Sequence, residues 1–520
     1  MGPSRLWELV EWRAAATPDA EMAVDERGRR LTFGEYRAAA ERAAAGLAAA
    51  GARGPGTPGG GTPPIADVSW QLPTWIESLV LVAALARLGL VQNPILPIYR
   101  EREVGFIAGQ ARPALLIVPP EWRGFDHPAM ARRVAARHPG MKVLVVDGAL
   151  PEGDPASLPP PLPGGGAAPV RWLFYTSGTT ADPKGARHTD AAIMATATGM
   201  SERLAMGPGD RNALVFPFTH IGGIVWLFAG LLGGFAHILT EAFDPRGTAE
   251  VLRREGVTTA GAGTPFHQAY LAAQRERPGE RLFPRLRVCP GGGAPKPPRL
   301  HLEVKEELGG AGVASGWGLT ECPILSMGSV HDPDWALAGT EGRALPGVDL
   351  RVVTSDGRLA GPGEEGELRA MAPQLMAGYA DAALDAAAFD AHGYFRTGDL
   401  GTIDEHGFVT VTGRLKDVIV RKGENISAPE VENLLFEHPG VRDVAVIGLP
   451  DPVLGERCCA VLVPETGRES PSLEELSAWL RERGLMVQKH PERLELVQEL
   501  PRSPAGKVLK SDLRSRFGAA

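Results

Sequence analysis

The sequence predicts an α/β protein with a large N-terminal domain of layered helices and mainly parallel sheets, and a small C-terminal α+β domain. Three observations carry this expectation. At 520 residues the chain exceeds what one hydrophobic core serves. Short β-rich runs alternate with helical stretches through most of it, the pattern of parallel strands joined by crossover helices. From about residue 414 the texture changes, and the last hundred or so residues carry helix and strand signals of their own.

Taken in order, Thr32 with Glu35 forms a capping box ahead of an Ala-rich stretch that runs to Gly51, which predicts a helix. Ten of the fourteen residues from Gly51 to Pro64 are Gly or Pro, which reads as a surface loop with no function assigned. Val68 to Leu72 reads as a strand and 75–89 as an apolar helix, with further strands at Leu115–Val118 and from Val143. Later strand-like runs start at Ala213, Leu286 and Val348. Ile221 to Ala236 is uncharged, yet its sixteen residues are too few for a membrane span, and a buried helix is expected. In the C-terminal part, Ser427 with Glu430 and Ser472 with Glu475 read as capping boxes, and Val441 to Ile447 alternates as a strand.

Composition narrows the classes. Apolar content of 44% and charged content of 22% are those of a globular protein. A net charge of −8 argues against an extended nucleic-acid surface, though not against a locally basic pocket. The four cysteines, Cys289, Cys322, Cys458 and Cys459, have no zinc-site spacing and read as reduced thiols of a cytoplasmic protein. The first sixteen residues, with Arg5, Glu8, Glu11 and Arg13, do not read as a signal peptide.

The most telling stretch follows the buried run Trp172 to Tyr175. Thr176, Ser177, Gly178, Thr179 and Thr180 offer four hydroxyls and backbone N–H groups, and Lys184 adds an ammonium before Gly185. Such a loop suits a polyphosphate. It is not a Walker A loop, because the Gly-Lys-Ser/Thr order is missing. Further on come Gly291-Gly292-Gly293-Ala294-Pro295, Ser315-Gly316-Trp317-Gly318-Leu319-Thr320-Glu321, Tyr394 to Asp399, Gly413 to Asp417 and Ser503 to Lys507. Gly261 to Pro265 could be mistaken for a dinucleotide fingerprint, but its third glycine is absent and a turn is expected.

This succession resembles the acyl-adenylate-forming superfamily of AMP-dependent acyl-CoA synthetases and adenylation domains, in family order along essentially the whole chain. The resemblance implies a domain at 1–413, a hinge at 414–417 and a mobile domain at 418–520. It implies ATP held by Thr176, Ser177, Gly178, Thr179, Thr180 and Lys184, and by Gly292, Gly293, Ala294 and Pro295. Gly316, Trp317, Gly318 and Thr320 would also line the nucleotide site, Trp317 stacking on adenine. Asp399 and Arg414 would take the ribose. Glu321 would hold Mg²⁺. Lys507 would act on the α-phosphate, Lys416 would be the pivot, and Gly423 would meet CoA. One departure is Ala181, where the family has Gly.

The resemblance also implies an acyl pocket at His220, Gly222, Gly223 and Ile224, with catalytic roles for Lys507, Glu321, Thr320 and His220. No carboxylate lies between Leu214 and Thr240, so an unpaired substrate ammonium is disfavoured and an α-amino acid with it. Ile224, Trp226, Leu227 and Phe228 point to an apolar acid, or to core. Residues 68–110 look most like ligases for medium-chain and alicyclic acids. Arg421 and Lys422 read equally as CoA-phosphate partners or surface charges. The expected activity is ATP-dependent activation of an apolar acid as acyl-AMP and transfer to CoA. Loading of a carrier-protein thiol, and an acyl-AMP-binding protein with weakened catalysis, are the alternatives. The partners implied are a small carboxylic acid, ATP and CoA, with no nucleic acid and no transmembrane segment.

Overall fold

The computed structural model describes residues 2–52, 65–162, 169–176, 183–293, 296–421, 424–451, 455–503 and 506–518. Its first sheet has six strands, in the order Gly185–Thr189, Val170–Tyr175, Gln92–Pro94, Val68–Trp70, Leu115–Val118 and Lys142–Val145. All neighbours pair in parallel except the edge pair, where Gly185–Thr189 returns antiparallel to Val170–Tyr175. A hydrogen bond from the Thr176 N–H to the Lys184 carbonyl at 3.0 Å continues this pairing past the strand ends.

A second sheet carries Arg211–Leu214, Ala236–Leu239, Glu21–Asp25 and Arg30–Thr32. Isolated parallel bridges from Asn212 to Thr259 and from Thr259 to Val288 lead from it towards a third sheet. There Cys289–Gly292 runs parallel to Val313–Trp317. The strand expected from Leu286 therefore begins three residues later, because only from Cys289 does the backbone find a continuous partner. Between the first two sheets lies the main core, into which Trp70, Trp172, Phe218 and Phe228 are packed.

The capping box at Thr32 and Glu35 forms, starting the helix Phe33–Ala50, and Gly51 ends it in the left-handed conformation. Ile76–Arg87 is the expected apolar helix. The uncharged segment forms the helix Ile221–Gly233, buried in the main core, and no helix among the described residues is long and apolar enough to cross a membrane. All four cysteines are free and buried.

An antiparallel sheet of Asp349–Val353, Gly366–Met371, Phe395–Ile403 and Val409–Arg414 leads to the last part of the chain. That part pairs Ile419–Arg421, Glu424–Ile426, Val441–Asp451, Gly455–Pro464 and Arg493–Leu496. Val441–Asp451 is buried on both faces: Val444 and Val446 join one apolar cluster, Ala445 and Ile447 another. The Ser472 box forms in full. The Ser427 box forms by half: its hydroxyl accepts from the Glu430 N–H at 3.4 Å, but the Glu430 carboxylate pairs with Lys489 at 2.6 Å instead of reaching back.

Candidate active site

Two cross-strand pairings assemble the centre of the site. Gly292 and Gly316 are Cα partners, which brings two of the glycine-containing motifs side by side. A Cβ on Gly292 would sit 2.8 Å from the Gly316 carbonyl oxygen, so this position of the first motif does not tolerate a side chain. Asp399 and Arg414 are Cα partners in the antiparallel sheet. Arg414 Nε lies 2.6 Å from Asp399 Oδ1, and Trp317 Nε1 donates to Asp399 Oδ2 at 2.8 Å. Asp399 is 2% exposed; its buried charge is offset by the Arg414 guanidinium beside Oδ1 and by the hydrogen bond on Oδ2, while Oδ1 takes no hydrogen bond among the described residues. Trp317 is at once core, packed with Cys322, Leu325 and Leu368, and wall of the cavity beside Asp399.

That cavity, of about 270 Å³, lies between the large part of the chain and its C-terminal part. Thr264, Gly293, Gly316, Trp317, Gly318 and Asp399 line one side; Lys507, Arg502 and Phe436 line the other, with Arg414 and Lys416 between. Seven Lys and Arg face five Asp and Glu in its wall, a locally basic pocket in an acidic protein. Of the turn expected at Gly261 to Pro265, Thr264 and Pro265 instead open the helix Thr264–Arg275, Pro suiting the first helical turn, and Gly261 to Gly263 lead into it.

Lys507 is held out on a tight loop. The Ser503 N–H donates to the Lys507 carbonyl at 2.7 Å, the Gly506 N–H donates to the Ser503 carbonyl at 2.8 Å, and Arg502 bridges to Val508. Gly506 has φ +81° and leans on Pro265, so the loop rests directly on the large part. Burial, aided by the Arg414 charge and opposed by Asp399 and Asp417, lowers the Lys507 ammonium to about 8. Burial likewise lowers Lys416, whose field includes Lys184. The turn Leu415–Asp417 is tied to the last helix by Asp417 and Arg514 at 3.0 Å.

Glu321 is 9% exposed and accepts from the Tyr379 hydroxyl at Oε1, 2.8 Å away. Its other oxygen takes no hydrogen bond among the described residues. Lys184 lies over the Tyr379 ring, 5.6 Å from its centroid. Tyr379 sits there because residues 377–380 pair with the edge strand Gly185–Thr189. Sequence reasoning missed Tyr379; its signal was Gly378-Tyr379 between two motifs, too short to read alone. Lys296 was missed as well: it is buried in the cavity wall, bonded to the Leu337 carbonyl and lowered by desolvation.

Thr320 turns its carbonyl to His188 Nε2 at 2.8 Å, which fixes the segment between Trp317 and Glu321. His220 caps the helix Ile221–Gly233: its Nδ1 accepts from the Gly222 N–H at 3.1 Å, and burial lowers it to about 4. It is therefore neutral, with its proton on Nε2. Gly223 lies against the Phe218 backbone. Ile224, Leu227 and Phe228 are fully packed in the main core, and Trp226 nearly so, so they line no described pocket. Their apolar character speaks for packing and not for the substrate. Arg421 pairs with Glu492 at 2.5 Å. Ser177, Gly178, Thr179, Thr180, Ala181, Ala294, Pro295, Lys422 and Gly423 lie outside the described residues.

The model of the AMP-binding enzyme family matches residues 10–380, and that of the AMP-binding enzyme C-terminal domain matches 430–507. The chain belongs to the AMP-binding enzyme family. Among curated AMP-binding enzymes, it is 30% identical to the medium-chain fatty-acid–CoA ligase of Escherichia coli K12, over 99% of this chain and 90% of that one. It is 32% identical to the salicyl-AMP ligase / salicyl-S-ArCP synthetase of Mycobacterium tuberculosis H37Rv, over 86% and 80%. Among solved AMP-binding enzymes, ATP-bound MatB of Rhodopseudomonas palustris matches with a TM-score of 0.85 and 25% identity, covering 98% of this chain and 99% of that one.

Proposed function

We propose that this AMP-binding enzyme is an ATP-dependent acid–CoA ligase. The observation that carries the reading is that Lys507, from the C-terminal part, shares one cavity with Asp399, Arg414 and Trp317. The acid's carboxylate attacks the α-phosphorus of ATP; acyl-AMP forms and pyrophosphate leaves. Lys507 neutralises charge that builds on the oxygens between acid and phosphate. Asp399 receives the ribose hydroxyls, since each carboxylate oxygen keeps a further lone pair beyond Trp317 or Arg414. The loop from Thr176 to Lys184 holds the departing phosphates.

The residues present fit Mg²⁺. Among the described residues no three of His, Cys, Asp and Glu cluster as a metal cage, but magnesium is commonly held by one carboxylate together with substrate phosphates. Glu321 would supply that carboxylate, its unbonded oxygen facing the task and Tyr379 holding the other. The ion would offset phosphate charge.

In the second half the region from 418 onward turns about a hinge at 414–417, with Lys416 as pivot. Lys507 withdraws, Gly423 reaches the site, and the CoA thiolate displaces AMP from the acyl group. Buried free cysteines support a cytoplasmic setting. The name of the mycobacterial relative motivates a second reading, in which a carrier-protein thiol accepts the acyl group.

A panel of acids assayed with ATP, with and without CoA, tests these readings. Acid-dependent pyrophosphate exchange and a CoA thioester product are expected. Exchange without a CoA thioester favours the carrier protein, and no exchange with any acid overturns the ligase.

A further inference from the structure

A second, small cavity of about 20 Å³ has His220 and Thr320 in its wall, the two residues that the family resemblance sets at the acyl pocket and beside the nucleotide. Most of its surface is apolar, from Pro94, Ile95, Leu96 and Phe174 among others. Four hydroxyl side chains stand in that wall, those of Tyr99, Tyr175, Thr219 and Thr320, and two of them are buried without a hydrogen-bond partner among the described residues. Thr219 is 2% exposed, and its Oγ1 has no hydrogen-bond partner among the described residues. The Tyr99 Oη is buried and has none either. A third wall hydroxyl, that of Tyr175, is satisfied by Gln110 Oε1 at 2.8 Å.

A buried hydroxyl left unpaired is costly, so two in one cavity wall call for a polar partner there. Both are also held in place. Gln71 Nε2 donates to the carbonyls of Leu96 and Tyr99 at 2.8 and 2.9 Å, fixing the loop that carries Tyr99. Thr74 Oγ1 accepts from the Phe218 N–H at 3.1 Å and donates to the Phe216 carbonyl at 3.0 Å, fixing the turn that carries Thr219. Burial, with the charge of Glu103, pushes the Tyr99 hydroxyl up to about 12, so it remains a donor. A cavity of this size holds one water-sized group with two or more polar partners.

We propose that the acid activated by this enzyme has an apolar body bearing a hydroxyl, and that this hydroxyl ends between Thr219 and Tyr99. The proposal rests on the ligase reading and names its substrate class as hydroxylated carboxylic acids. It narrows the apolar acid expected from the sequence to one that bears a hydroxyl. A hydroxyl both donates and accepts, so it can serve Thr219 and Tyr99 together.

Matched acids that differ by one hydroxyl test it: benzoate against ortho-, meta- and para-hydroxybenzoate, cyclohexanecarboxylate against its hydroxylated forms, and octanoate against hydroxyoctanoates. In acid-dependent pyrophosphate exchange, at least one hydroxylated acid should exceed its parent about tenfold or more in kcat/KM. That ratio should fall towards one in Thr219→Val and in Tyr99→Phe and persist in Thr219→Ser, which keeps the hydroxyl if the valine variant folds poorly. Parents used as well as their hydroxylated partners, or a ratio unmoved in both variants, would overturn the pocket and leave the ligase standing. Calorimetry with ATP present separates the two claims: tighter binding of a hydroxylated acid, dependent on Thr219 but without exchange, keeps the pocket and sinks the ligase. Neither exchange nor a binding difference overturns both.

Discussion

Asp399 and Arg414 stand opposite one another as Cα partners on adjacent antiparallel strands, and their side chains meet at 2.6 Å above the cavity that Lys507 enters. The register of one β-ladder thus sets the distance between two groups fifteen positions apart, and the Trp317 indole closes the arrangement from a different sheet. The first prediction comes from this pair.

Asp399→Asn removes the charge while keeping the shape. Arg414 is partly exposed and can be hydrated, so the stability loss should be about 2 kcal/mol, below the cost of breaking a fully buried pair. The KM for ATP should rise about tenfold or more, by loss of charge-assisted bonds to the ribose. Thermal unfolding and ATP titration check both numbers, and the effects of Asp399→Asn and Arg414→Met should be strongly non-additive.

Lys507→Ala should reduce acyl-AMP formation by about a hundredfold or more, as removal of one preorganised cationic or donor group does. Conversion of supplied acyl-AMP and CoA to thioester should persist in the same variant. Equal loss of both half-reactions in a folded protein contradicts the alternation about residues 414–417.

Because burial lowers Lys507 to about 8, its ammonium is present at neutral pH and is lost as pH rises past that value. The kcat/KM for adenylation, which reports the free enzyme, should therefore fall on the alkaline side with a midpoint near 8. Lys507→Arg, charged throughout, should lose this alkaline limb even if its rate is lower. A profile flat to pH 10 in the native protein would show that another group limits the step.

Tyr379→Phe deletes the hydroxyl that bonds Glu321 and leaves the ring under Lys184. Outer partners of metal-holding carboxylates typically matter by about 10- to 100-fold, so the Mg²⁺ concentration for half-maximal exchange should rise within that range. Direct binding of Mn²⁺ in the presence of ATP gives a readout independent of turnover. The Tyr379 hydroxyl, raised by burial and by the Glu321 charge, stays protonated throughout the accessible range.

Gly318→Ala should be severe. A Cβ there would run into the backbone of Ile324 and Cys322, which is less forgiving than a side-chain neighbour. The turn linking Trp317 to Glu321 must then shift, with a stability loss of about 1–3 kcal/mol typical of overpacking. Circular dichroism melting should show it.

Much of the fold was legible in the residues. The Thr32 and Ser472 boxes, the stop at Gly51 and the buried helix after His220 are local events, decided within one or two turns by propensity and capping. So were the motifs. What misled was also local: Glu430 looks like a box partner, yet Lys489, distant in sequence, takes its carboxylate. Ile224, Leu227 and Phe228 look equally suited to core or substrate pocket, because apolarity alone does not say which apolar neighbour will arrive.

The sequence by itself determined the family, the order of the motifs and the residue types within them. Only the tertiary structure decided which of them touch: Trp317 with Asp399, Tyr379 with Glu321, and the Lys507 loop with Pro265. It also left the Thr219 and Tyr99 hydroxyls without hydrogen-bond partners among the described residues, the observation on which the proposal of a hydroxylated acid rests. The reason is physical. Propensity and capping act between neighbours in the chain, whereas burial and hydrogen-bond satisfaction are properties of neighbours in space.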